Sequence, residues 1–222
     1  MKFLMIASRP RSGTHWLKSA IGSCSGIHAV HEEPFHADFR GSPGFWDGET
    51  EPEQWLRNDA GAADWCVFAC HPINHLPSHE ALLPACQRIV TAVVLLYRRD
   101  LLAQFVSNEL AYLNWEWSTE SGQQPTHGEL TVDLDKLRDW CGFCRDTLAE
   151  DRLLWSDRQT LTVAYEDLLA DESGVLAQVG RLTGIDTTQA VAATEKKERR
   201  PLWQVANNYQ EARAVAAELA IG

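Results

Sequence analysis

Four short apolar runs, each rich in β-branched or aromatic residues and followed by a stretch of helical periodicity, constrain this chain more than anything else in it. The runs cover 2–7, 65–70, 89–97 and 160–165, and the helical patterns cover 14–21, 78–85, 101–117, 134–155 and 174–183. Strands that are apolar on both faces need cover on both faces. The alternation therefore predicts an α/β fold: a P-loop-like parallel sheet flanked by helices on both faces. Ligands of such sheets sit at the carboxyl ends of the strands. The residues delivered there are a glycine-containing loop after the first run, His71 after the second, and Arg98 and Arg99 after the third.

Two stretches break the alternation. One, 31–55, is rich in Pro, Gly, acids and aromatics; the other, 115–130, is polar apart from Trp115 and Trp117. Both read as long loops over the cleft. The expected organisation is a single domain over 1–222 with loop inserts at about 31–60 and 113–130, a length that can bury its own core.

Charge narrows the function classes. The chain carries 20 Lys plus Arg against 31 Asp plus Glu, a formal charge of −11, which argues against nucleic-acid binding. A small anion remains compatible, because a few cations gathered in one cleft outweigh a distant surface field. No apolar run is long enough to cross a membrane, and 1–4 lead into the first strand without a secretory cleavage pattern, so a cytoplasmic address is expected. Cys141 and Cys144 have C-x-x-C spacing but fall inside a helical pattern, and no second pair completes a zinc set. The six cysteines read as reduced, packed thiols.

The loop "SRPRSGTHWL" has a physical reading of its own. Gly13 lets backbone approach a ligand, Arg11, Ser12, Thr14 and His15 place donors beside it, and the positive end of the next helix faces the same point. The spacing is not that of a nucleoside-triphosphatase loop, and Ser12 reads equally well as an ordinary helix N-cap. Further along, "YRRDLLAQFVS" ends a strand in two arginines, with Asp100 placed to cap a long helix. Arg99 and Ser107, eight residues apart, could meet one anion beside the first loop.

Taken in order, "RPRSGTHWL", "YRRDLLAQFVS" and "AYEDLLAD" resemble the nucleotide-binding signatures and the Y-E-D-L segment of sulfotransferases that use 3′-phosphoadenosine 5′-phosphosulfate. The likeness is nearest to the bacterial and carbohydrate-directed branches and spans roughly 1–185. It implies that Arg11, Ser12, Gly13, Thr14 and His15 hold the 5′-phosphosulfate, with Arg11 also assisting transfer. It implies further that Trp16 flanks the adenine, that Arg99 and Ser107 take the 3′-phosphate, and that Tyr165 sits near the base. "CVFACHPINHLPSHEALLP" resembles the strand and turn that carry the family's catalytic histidine, which makes His71 the general base, with His75 and His79 as competitors. An imidazole suits the task because it titrates near neutrality. The acceptor would be a hydroxyl or amine of a small molecule or carbohydrate, and no metal is expected.

The chain departs from that pattern in three places. Arg11 stands where cytosolic animal enzymes have lysine, His15 where a second hydroxyl is usual, and the C-terminal K-G-x-x-G is missing. The run Lys196, Lys197, Arg199, Arg200, ahead of Trp203, is either a substitute clamp on the nucleotide, chiefly through Arg200, or a solvated turn. Trp46, Trp115 and Trp117 either line an acceptor pocket or anchor loops, and Glu166 and Asp167 read as helix-start acids. The competing enzyme class is a P-loop kinase of small molecules. It requires a lysine where Thr14 follows Gly13 and an acidic metal ligand at the strand edge.

Overall fold

In the computed structural model, residues 1–30, 33–36, 41–71, 82–114, 128–192 and 200–220 are described. Five parallel strands form one sheet in the order β2-β3-β1-β4-β5: β1 (Lys2–Ser8), β2 (Ile27–Ala29), β3 (Trp65–Cys70), β4 (Ala92–Tyr97) and β5 (Gln159–Ala164). The helices are α1 (Thr14–Gly22), α2 (Pro52–Ala60), α3 (Leu82–Ile89), α4 (Leu101–Asn114), α5 (Leu134–Leu154), α6 (Tyr165–Ala170), α7 (Glu172–Thr183) and α8 (Tyr209–Glu218).

The two-residue period of β1 divides its side chains between two cores. Phe3, Met5 and Ala7 join Phe68, Leu82, Cys86, Leu148 and Trp155 on one face. Leu4 and Ile6 join Leu17, Ile21, Val175 and Val179 of α1 and α7 on the other. All six residues of β3 are buried, which is why that strand reads as an unbroken apolar run. A third cluster packs α4, α5 and α8 around Phe105, Leu137, Cys141 and Val215. Cys141 and Cys144 are buried free thiols there, as their helical setting predicts.

Several expectations are corrected. The third apolar run begins as helix: 82–89 is α3, and strand starts only at Ala92, because Leu82, Ala85 and Cys86 use a helical period to face the sheet. The helix expected at 78–85 is present over its described part and runs on to Ile89; its first residues, 78–81, lie outside those described. The insert at 31–60 is not all loop. It ends in α2, which opens with Pro52 at its first turn and buries Leu56 and Ala60. Between these, Phe35 meets Trp46 and Phe68 edge-on and Trp55 at a tilt, and Trp46 Nε1 donates to Thr50 O at 2.6 Å. Trp46 therefore anchors its loop to the sheet. α4 is assigned through Asn114, and Trp115 and Trp117 lie outside the described residues.

Candidate functional site

All strands run the same way and β1 lies between β3 and β4, so the segments that leave β1, β3, β4 and β5 begin side by side. Arg9–Gly13, His71, Arg98–Asp100 and Tyr165–Asp167 meet at this edge.

The loop after β1 is held in an unusual shape. Arg11 has φ 66°, the one non-glycine residue in the left-handed region among those described, a conformation that costs an L-residue about 1–2 kcal/mol. Arg98 Nη1 donates to the Arg11 carbonyl at 3.3 Å, and Arg11 Nε donates to Ser107 Oγ at 3.0 Å, so the strained residue is tied to the tip of β4 and to the middle of α4. Gln104, 1% exposed, donates from Nε2 to Pro10 O (2.8 Å) and Ser12 Oγ (2.9 Å). Ser8 and Thr14 share a hydroxyl–hydroxyl bond of 2.6 Å.

The Ser12 and Thr14 hydroxyls therefore face inward. Outward the loop presents backbone N–H groups and the half-buried Arg11, His15 and Trp16. Ser12 is not the cap of α1. That position is Gly13, at φ 88° with no side-chain cap, and Leu17 is the first N–H to reach back to its carbonyl. The N–H groups before Leu17 have no intrahelical acceptor, which is the arrangement that receives anions. A Cβ at Gly13 would stand 2.5 Å from the Tyr165 ring. The tight turn thus needs glycine both for its dihedral and for this contact.

Tyr165 opens α6 and lies between two sequence-predicted neighbours. Trp16 meets it edge-on, with ring centroids 6.4 Å apart, and the Arg98 guanidinium stacks 4.6 Å from its ring centre. Burial pushes the Tyr165 phenol up, against a downward pull from Arg98. Asp100 caps α4 by accepting from Ala103 N at 2.8 Å, while Glu166 receives the backbone N–H groups of Arg99 and Asp100.

The structure brings Ser107 to the loop but turns Arg99 toward α6. Both its terminal nitrogens grip Asp167, at 2.7 and 2.6 Å, near the surface. That bidentate bond holds the Asp167 carboxyl below its usual range. Arg200 reaches the Gly128 carbonyl at 2.8 Å, beside the bridge from Leu130 to Ala206. Lys196, Lys197, Arg199, His75 and His79 lie outside the described residues.

His71 stands at the tip of β3 with its side chain 16% exposed, and its Nδ1 lies 2.9 Å from the Ser8 carbonyl. A carbonyl only accepts, so Nδ1 carries the proton there. The Glu33 carboxylate contacts the other ring nitrogen, Nε2.

Glu33 is a functional candidate that sequence reasoning missed. Its signal was the acid placed directly before Pro34 and Phe35, the pair that pins this loop: Trp46 N donates to Pro34 O, and Phe35 is 3% exposed in the core. Lys18 was also missed. Its ammonium is buried one turn into α1 and donates to Val30 O at 2.7 Å where β2 ends, a cation that pattern alone assigns to a solvent face.

No protein-family profile and no curated protein sequence matches this chain. Among solved structures the likeness is to sulfotransferases, and it extends over nearly the whole chain. A sulfotransferase from Alicyclobacillus acidocaldarius superposes with a TM-score of 0.55 at 12% identity, covering 99% of this chain and 95% of the other. The sulfotransferase domain from the curacin biosynthetic pathway gives 0.57 at 14% identity, with 98% and 97% covered. The sulfotransferase domain from the Synechococcus PCC 7002 olefin synthase gives 0.52 at 17%, with 100% and 95% covered. The fold is therefore the parallel α/β fold of these sulfotransferases.

Proposed function

We propose that this protein is a sulfotransferase that moves a sulfuryl group from 3′-phosphoadenosine 5′-phosphosulfate to a hydroxyl or amine of a small molecule or carbohydrate. The observation that carries the reading is the strained Arg11 loop, cross-linked to Ser107 and Arg98, with His71 fixed beside it on the Ser8 carbonyl. A left-handed arginine held from two sides beside a helix N-terminus is a built anion cradle, and an imidazole at its rim is a proton acceptor.

The donor set fits such a nucleotide. Arg11, the backbone from Gly13 to Trp16 and His15 surround the place for the phosphosulfate. Trp16 and Tyr165 form an aromatic angle suited to a purine, and Ser107 and Arg99 are the 3′-phosphate ligands. To take up that phosphate, Arg99 exchanges its bond to Asp167 for one to the nucleotide. The nucleotide supplies the activated sulfuryl group. The chain supplies Arg11 to balance charge on the departing phosphate oxygen and His71 to take the acceptor's proton at Nε2. The Glu33 contact at Nε2 favours a second version of the same chemistry, in which the carboxylate takes the proton and the imidazolium holds it in place.

Calorimetry with adenosine 3′,5′-bisphosphate, AMP and ATP tests the assignment. Charge-assisted bonds contribute on the order of 1.5–3 kcal/mol each, so the bisphosphate should bind at least tenfold more tightly than AMP. Labelled transfer from the phosphosulfate to a panel of sugars, phenols and amines identifies the acceptor. Equal affinity for AMP and the bisphosphate removes the reading, and preference for ATP favours the kinase.

A further inference from the structure

Beneath the loop lies a small recess lined by Ser8, Arg9, Ser12, Gln104 and Asp151, among others. Its lining includes a buried ion pair that the proposed chemistry does not use. Arg9 Nη2 donates to Asp151 Oδ2 at 2.8 Å, and the two side chains are 7% and 8% exposed. Arg9 Nε donates to Thr147 Oγ1 at 2.5 Å, and the guanidinium lies 5.5 Å from the centre of the Phe143 ring. Phe143, Thr147 and Asp151 follow one another at four-residue intervals, so one stripe of α5 grips the planar fork from three directions. The remaining nitrogen, Nη1, donates to the Ser8 carbonyl at 3.0 Å. That carbonyl is the one that receives His71 Nδ1.

We propose that Asp151 is a positioning residue for His71, acting through Arg9 and the Ser8 carbonyl. The proposal builds on the reading of His71 as part of the proton-accepting pair. A carbonyl has two lone pairs, and here one meets the guanidinium and the other the imidazole. With Arg9 immobilised, the carbonyl cannot swing away from the ring, so the proton stays on Nδ1 and Nε2 is directed at Glu33 and the cleft.

The energetics favour this role over simple packing. Burying two charges is costly, and an apolar pair would hold α5 against the sheet as well or better. Burial pushes the Arg9 guanidinium down from its ordinary value, and Asp151 offsets part of this. What an apolar pair could not do is donate to Ser8 O. The groups also cluster around the tip of β3. The Cys70 thiol, next to His71, is pushed up by burial and then by Cys86, Glu33 and Asp151, while Arg9 pulls it down.

The test uses the full chain and reads His71 without reference to turnover. Imidazole ¹⁵N spectra, with the His71 signal assigned by its loss in His71→Ala, should show a single Nδ1–H tautomer in the wild type once the ring is neutral. They should show mixed tautomers in Asp151→Asn. Turnover of Asp151→Asn should fall about tenfold or more with bisphosphate affinity within about twofold, the penalty should vanish on a His71→Ala background, and Asp151→Glu should recover most of the loss. An unchanged His71 tautomer in Asp151→Asn overturns the proposal, and so does a loss of nucleotide affinity that matches the loss of turnover. If Asp151→Asn does not fold, Thr147→Val removes the Nε acceptor and is read by the same spectrum. Normal turnover in His71→Ala together with a tautomer that responds to Asp151 removes His71 as base and leaves the positioning intact.

Discussion

His71 is held from both sides, by Ser8 O at Nδ1 and by Glu33 at Nε2, and in the proposed reaction kinetics distinguish the imidazole from the Glu33 carboxylate as the base. General-base catalysis contributes about 10²–10⁴-fold, so His71→Ala is expected to lower kcat by at least the lower bound with little change in bisphosphate affinity. Glu33→Gln separates the two versions of the mechanism. If the imidazole is the base, removing the charge at Nε2 costs much less than His71→Ala; if the carboxylate is the base, Glu33→Gln is the more damaging change. Steady-state kcat beside the nucleotide dissociation constant, measured for both variants, decides. His71 was legible because it directly follows an apolar strand. Glu33 was marked only by its place directly before Pro34 and Phe35, which says that the loop is pinned there but not which ring the carboxylate will meet.

At the scale of elements, the site is the loop from β1 into α1, stitched to α4 and bordered by α5. α4 contributes the stitch through Gln104, whose side-chain amide serves Pro10 O and Ser12 Oγ, while Cys144 Sγ of α5 lies 3.9 Å from its Oε1. Replacing Gln104 with Leu keeps roughly the same volume and strips the donor from two enclosed acceptors. An unsatisfied buried polar group costs about 1–3 kcal/mol. Thermal unfolding should therefore begin several degrees lower, since about 1 kcal/mol shifts the midpoint of a chain this size by roughly 2–4 °C. Bisphosphate affinity should fall with it, because the backbone of the cradle loses its support. A variant with wild-type unfolding temperature and affinity would show that the loop holds its shape without α4.

The whole molecule buries all six cysteines as free thiols. Burial is the leading cause of the rise at each: Cys66, Cys86 and Cys144 are pushed to about 12 and Cys141 to about 11, Cys24 is raised, and Cys70 lies well above its usual value. Groups raised in the folded state favour the fold below their unfolded value and withdraw that support as pH rises through the folded one. Stability should thus be flat across neutrality and decline between about pH 9 and 12, which urea titrations at stepped pH would measure. Native protein at pH 8 should react slowly with a thiol reagent, and denatured protein rapidly at all six. Fast labelling of the native chain at that pH would contradict the burial described here.

Four of the five strands, and the helices that follow them, were determined by the sequence, because hydrophobic period is a local property and β1, β3 and β5 show it within a residue or two of their true limits; the short β2 and the helices α2 and α8 were not legible in that way. The glycine-containing turn, the helix behind it and the arginine pair at the tip of β4 were legible from their places directly after apolar runs, whereas the left-handed Arg11 was not. The tertiary structure alone decided which groups would face one another. Sheet order β2-β3-β1-β4-β5 puts β1 between β3 and β4, so His71 meets Ser8 across 63 residues and Arg9 meets Asp151 across 142. It also turned Arg99 onto Asp167 and Arg11 onto Ser107. A side chain's neighbours at a sheet edge depend on which strands pair, and pairing is an outcome of the packed core as a whole that no single stretch of residues encodes.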